Sequence, residues 1–163
     1  MKQLIIASAI ALSVAATGAI AHGDEHEAAT EKEHGEGHAD ALGKPGDPKK
    51  ISRTIAVEMS DAMRFSPALL KVNRGETIKF VVKNTGKVKH EMVLGSIEEL
   101  KEHAALMQKF PEMEHADPNM VSVAPGQTGK LIWKFTKAGS FDFACLQPGH
   151  FEAGMVGTIA VKR

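Results

Sequence analysis

Cys145, His150 and Met155 fall at equal intervals in one short stretch, Cys145-Leu146-Gln147-Pro148-Gly149-His150-Phe151-Glu152-Ala153-Gly154-Met155. This C-x4-H-x4-M spacing puts a thiol, an imidazole and a thioether on one loop. Pro148-Gly149 and Gly154 supply the turns that could fold those three side chains over a single point. A second imidazole, His90, lies far upstream, in a run expected to be a strand. Two imidazoles, one thiolate and a weak axial thioether form the trigonal set that copper takes in electron-transfer sites. The sulfur donors are soft and stabilise Cu(I), whereas imidazole serves both Cu(I) and Cu(II). A fixed geometry between the preferences of the two oxidation states keeps reorganisation small when one electron moves. Zinc, which favours closed thiolate and imidazole sets, fits these four donors poorly. Cys145 is the one cysteine of the chain, so no intramolecular disulfide protects it, and a bound metal would hold it as thiolate.

These donors need a scaffold, and the chain from Ile51 onward has the texture of one. Short runs at 52–58, 69–72, 77–83, 89–94, 120–123, 130–136, 140–144 and 155–161 read as strands. Turn signals separate several of them, such as Asn73-Arg74-Gly75, Asn84-Thr85-Gly86, Ala124-Pro125-Gly126 and Lys137-Ala138-Gly139. Ile78, Phe80 and Val82 recur at every second position beside lysines at 79 and 83, as do Leu131, Trp133 and Phe135 around Lys134, and Phe141, Phe143 and Cys145 keep the same period. One face of each strand therefore belongs in a core, which predicts an all-β, Greek-key antiparallel sandwich of about eight strands. One helical insertion interrupts it: Ser96-Ile97-Glu98-Glu99 is a capping box, good helix formers follow to Phe110, and Pro111 stops the run. The helix is expected over about 96–110, with a loop through Pro118.

The N-terminal residues read differently. Lys2 followed by an apolar run from Leu4 to Ile20, closing on Ala19-Ile20-Ala21, predicts a signal peptide over residues 1–21 and a mature chain beginning at His22. No other segment is long and apolar enough to cross a membrane. Residues 22–50 hold eight acids against four lysines and one large apolar residue, Leu42, and are expected to be a flexible, acidic, His-rich tail and linker. From 51 to 163 the balance is three positive, without a basic run, so nucleic-acid binding has no support. No Ser–His–Asp set, paired carboxylates or phosphate loop appears, and paired His-x-His motifs for a copper oxidase are missing. The chain therefore reads as a non-enzyme.

Two further donor groups lie outside the main set. His22, His26, His34 and His38 form two H-x3-H pairs among acids in the tail, the kind of tract that chelates copper loosely. A free amine at His22 could clasp Cu(II) together with its own imidazole. His103, Met107, Met113, His115 and Met120 line the insertion and could complete a second, softer copper site. Against this, Met107 and Leu100 also stand where they would pack the helix on the sheet, while His103 faces water.

Residues 51–163 resemble a cupredoxin, of the plastocyanin and azurin superfamily, with His90, Cys145, His150 and Met155 matching its copper ligands in order. Phe65-x-Pro67 and Arg74-Gly75-Glu76-Thr77 are similar to that family's early strands. The chain departs from plastocyanin in the insertion at 96–118 and in a longer Cys–His spacing. With its leader and His-rich tail the whole chain resembles the periplasmic copper-resistance cupredoxins. That resemblance implies a periplasmic type 1 copper protein that sequesters or chaperones copper, with additional copper ions bound elsewhere. The alternative it implies is a dedicated single-electron carrier. In either case an apolar rim with Pro148 and Phe151 around His150 is where a redox partner or copper-handling protein would dock.

Overall fold

The computed structural model describes residues 42–113 and 116–163. The leader expected over 1–21, the tail histidines His22, His26, His34 and His38, and His115 of the insertion lie outside these residues. Among those described there are ten strands and one helix: β1 (Gly43–Pro45), β2 (Arg53–Ser60), β3 (Arg64–Ser66), β4 (Leu69–Asn73), β5 (Thr77–Asn84), β6 (His90–Gly95), α1 (Ile97–Lys109), β7 (Met120–Val123), β8 (Thr128–Phe135), β9 (Gly139–Ala144) and β10 (Val156–Lys162). They form two five-stranded sheets, ordered β1-β8-β5-β2-β3 and β4-β10-β9-β6-β7.

The eight expected strands are present with ends shifted by no more than two residues. The two additional strands, β1 and β3, are three residues each, too short to carry an alternating pattern. The β1 strand corrects the linker expected through residue 50. Gly43–Pro45 pairs antiparallel with β8, and Leu42 is buried in the core beside it. Glycine is required at 43 because a Cβ there would run into the Lys134 backbone and the Trp133 indole. The sandwich is also not wholly antiparallel: β2 runs parallel to β5, and β4 parallel to β10. A parallel pair needs a crossover between its strands, and here the chain crosses from one sheet to the other between each pair.

The core sits between the sheets. Ile78, Phe80, Val82, Leu131, Trp133, Phe135, Phe143 and Cys145 all face it, as their period-two spacing requires, and Phe141 is partly buried at its edge. The β6 strand departs from alternation because all six of its residues are buried. Met92 and Leu94 point into the sandwich, whereas Val93 points outward into a second apolar cluster with Leu100, Ala104, Met107, Ala144 and Leu146. That outer cluster exists because α1 lies across the outside of β6 and β9. Ser96 Oγ accepts from the Glu99 N–H, and Glu99 returns a bond to the Ser96 N–H at 2.9 Å, so the capping box is formed. Leu100, Ala104 and Met107 lie on one stripe of the helix. Burying the side chains of Leu100 and Met107 stabilises this docking by about 2 kcal/mol each.

Candidate metal centre

His90 opens β6 and Cys145 directly follows β9. These strands pair antiparallel with Val93 opposite Ala144 and Leu94 opposite Phe143. His90 has the parity of Met92 and Leu94, and Cys145 that of Phe143, so both project to the inner face at one end of the sandwich. The chain then makes the loop 146–155 and returns as β10. Gly149 and Gly154 adopt φ of +83° and +86°, a left-handed backbone that other residues enter only at a cost. The loop is laced by His150 N–H to Gln147 O, Gly154 N–H to Phe151 O and Met155 N–H to His150 O. The Cys145 N–H donates to Met155 O at 3.1 Å and closes its neck. Arg64, at the start of β3, fastens it from outside by donating to Ala153 O at 2.9 Å.

Three donor atoms converge there. His90 Nδ1 and His150 Nδ1 are 3.2 Å apart, Cys145 Sγ is 3.3 Å from His150 Nδ1, and it is 3.9 Å from His90 Nδ1. Donors sharing one ion, with metal–nitrogen bonds near 2.0 Å and metal–sulfur bonds near 2.3 Å, stand about 3.2–3.9 Å apart when the angles between them lie within about 15° of trigonal. The spacing thus fits one small cation. Met155 is fully buried in the same core and tied through its backbone to both His150 and Cys145. Of the four ligands expected from the sequence, the two imidazoles and the thiol are brought together, and Met155 is joined to the backbones of His150 and Cys145.

The electrostatics suit a metal better than a free thiol. Burial pushes the Cys145 thiol up to about 12; hydrogen bonds from the backbone N–H groups of Glu91 and Gln147 work against this, and the Glu91 carboxylate adds to it. Burial also lowers the pKa of His150, as does charge on the neighbouring His90, which favours the neutral imidazole that a metal needs. An added cation would reverse the cost of the thiolate.

Three residues with no assigned role in the sequence reading shape this centre. Asp61, in the β2–β3 turn, places Oδ1 3.2 Å from His90 Nε2, the ring nitrogen that faces away from the donor cluster. Its carboxyl is held below the usual range, first by the Lys87 N–H at 2.8 Å and then by His90. Such a carboxylate fixes the tautomer and ring orientation of a metal-binding histidine. Asn84 is buried and donates to Val88 O and Val123 O at 2.8 and 2.9 Å, pinning the loop that leads into His90. Glu91 has the opposite parity to His90. Its carboxylate accepts from the Leu146 N–H, from Gln147 Nε2 and from Ser122 Oγ at 3.1–3.2 Å, and its own N–H points at Cys145 Sγ, 3.4 Å away. The one signal for Glu91 in the sequence is a charged residue inside an otherwise apolar strand.

Both the sequence and the fold have counterparts among known proteins. Residues 52–162 match the family described as copper binding proteins, plastocyanin/azurin family. The chain belongs to that family. Among curated relatives, this family member is 54% identical over 138 residues to the copper-resistant cuproprotein CopI of Rubrivivax gelatinosus, covering 80% of this chain and 84% of that one. It is 35% identical to the copper-resistant cuproprotein CopI of Vibrio cholerae serotype O1, across 97% of both chains. Among solved structures, the reduced auracyanin of Roseiflexus castenholzii superposes with a TM-score of 0.60 at 21% identity, covering 69% of this chain and 99% of that one. Auracyanin B gives 0.62 at 19% identity, covering 74% and 95%. At those identities the likeness shows the fold, a cupredoxin sandwich.

The insertion is divided by the structure. Met107, Met113 and Met120 line one cavity, together with Glu91, Ser122 and Gln147. His103 is partly buried on α1 and is not among the described residues lining it. Leu100 and Met107 also pack the helix, so Met107 serves the apolar cluster as well as the cavity. Around His150, Pro148 is exposed, whereas Phe151 is partly buried and leans on the outer apolar cluster. No helix among the described residues is long and apolar enough to cross a membrane.

Proposed function

We propose that this chain is a periplasmic type 1 copper protein serving copper tolerance, with His90, Cys145, His150 and Met155 as the ligands of one copper ion. The observation that carries this reading is the approach of two imidazole Nδ1 atoms and a buried thiol, from a strand and a loop, to distances one small ion would bridge. Copper supplies a one-electron couple in such a site. The protein's part is to hold the donors: β6 and β9 fix His90 and Cys145, the glycine-hinged loop brings His150 and Met155, and Asp61 orients the His90 ring. The centre is buried except at His150, which makes that edge the place where an electron or a copper ion would be exchanged with a redox or copper-handling protein. Binding and redox buffering of copper, not turnover of a substrate, is the role this arrangement suits.

Sequestration is favoured over dedicated electron carriage by the two curated relatives, both named copper-resistant cuproproteins. The four tail histidines, His22, His26, His34 and His38, would add loose copper capacity. Two measurements test this. Full-length mature protein should bind more than one copper, falling when residues 22–50 are removed, and a strain lacking the protein should become copper-sensitive and be rescued by the intact gene. Normal copper tolerance in the deletion strain, with a single copper per full-length chain, would favour the electron carrier.

A further inference from the structure

The cavity beneath the C-terminal half of α1 has about 310 Å³ and shares none of the donor residues of the centre described above. Its lining mixes thioethers with polar and charged groups. Met107 of α1 and Met113 of the loop after it meet Met120 of β7 there, beside Glu91, Ser122 and Gln147, with Lys89 and Ala116 also lining the space. Three of the chain's eight methionines therefore meet at one place. Met107 is buried at 3% exposure, Met120 is partly buried and Met113 is open to solvent at 41%. Leucine would pack α1 as well as methionine does, at lower conformational cost, so packing alone does not call for three thioethers around one void. Thioethers are ligands of soft, low-charge ions, and the Glu91 carboxylate, which already accepts three hydrogen bonds, is the acid lining the cavity, with Lys89 the one cation.

We infer that this cavity is a second metal site, selective for a soft monovalent cation, with Met107, Met113 and Met120 as donors and Glu91 as the anionic wall. Cu(I) is the biological ion of that class, and Ag(I) is its redox-silent stand-in. The site is distinct from the cluster of His90, Cys145 and His150 but adjoins it through two residues, Glu91 and Gln147, whose backbone N–H groups both hydrogen-bond the Cys145 sulfur. Glu91 lines the cavity while its backbone N–H points at Cys145 Sγ. Opening through Met113 gives an ion a way in from solvent that the buried thiol lacks.

A single titration reads both sites separately. Full-length mature protein labelled with 13C at the methionine methyls is titrated with Ag(I), its signals assigned by single Met→Leu variants. The Met155 signal reports the Cys145 centre, and those of Met107, Met113 and Met120 report the cavity. The expected result is that the three cavity signals move together and saturate at one equivalent, in a step separate from that of Met155. Met113→Leu, at an exposed position where folding is little affected, should weaken that step by about tenfold or more and leave the Met155 step unchanged. Cavity signals that stay still while Met155 moves, or that move at three unrelated concentrations, would overturn the inference and leave the type 1 assignment standing. A still Met155 signal beside three moving ones would do the reverse.

Discussion

His90 and Glu91 are neighbours in β6, yet they serve opposite sides of the same sheet. The inner side holds His90 with Met92 and Leu94, and across from it Phe143 and Cys145. It is closed: the imidazole and thiol at its end are both inaccessible to solvent, and their donor atoms already stand at metal-bridging distances. The outer side holds Glu91 and Val93, and across from them Ala144 and Leu146, roofed by α1. It is looser, with an open cavity and thioethers in place of imidazoles. Period-two geometry alone lets one strand pair support a preformed centre on one face and an adaptable one on the other. The lesson is that the insertion does more than decorate the sandwich. By covering β6 and β9 it walls the cavity that Glu91 lines, and Glu91 in turn reaches Cys145 Sγ through its backbone N–H.

Breaking the inner face should have the largest effect. Cys145→Ser removes the thiolate, so Cu(II)-loaded protein should lose its thiolate-to-copper charge-transfer band entirely in the visible spectrum; a retained band would remove Cys145 from the ligand set. Glu91→Ala tests the outer face. It strands the buried Leu146 N–H and two side-chain donors, costing about 2–3 kcal/mol and lowering the melting temperature of apo-protein by roughly 5–10 °C. A shift below a degree would mean that Glu91 does not hold the two faces together. Asp61→Asn sharpens the comparison within the inner face. It keeps the shape but weakens the grip on His90 Nε2, so copper affinity in a chelator competition should fall by about tenfold, with the fold unchanged by circular dichroism.

The smallest expected effect is on pH dependence. Folding raises the Cys145 pKa from 9.0 to about 12, so the folded apo-state holds its proton more tightly than the unfolded chain does. The associated stability is complete below about pH 9 and is lost progressively as pH rises from there toward 12. At pH 10 the loss is about 1 kcal/mol. Denaturation of apo-protein at pH 8 and 10 should show this decline, and Cys145→Ala should be free of it. Equal slopes in both proteins would mean that the thiol is not buried as described.

Much of this was legible in the amino-acid sequence, for definable reasons. The ligand loop is written locally, as Cys145, His150 and Met155 with glycines at the two hinges, and the core strands carry their period in Ile78, Phe80, Val82, Leu131, Trp133 and Phe135. The helix announces itself through Ser96 and Glu99. What stayed hidden depends on contacts between distant segments. Gly43–Pro45 looks like a linker because Gly and Pro punctuate it, and only the partner strand β8 makes it a strand. Asp61 looks like an ordinary turn residue, and its role arises because the turn meets His90 across the end of the sandwich. The cavity needed α1 to be docked before Met107, Met113 and Met120 could be seen around one space while His103 fell outside it.

Donors from β6 and the 145–155 loop stand where one ion would be shared between them. Anomalous scattering at the copper edge, from crystals of the copper-loaded full-length protein, tests this directly. The account predicts one strong peak within about 2.0–2.3 Å of His90 Nδ1, His150 Nδ1 and Cys145 Sγ, with the Met155 sulfur facing it. Copper found only elsewhere, with the space between these three atoms empty, would contradict it.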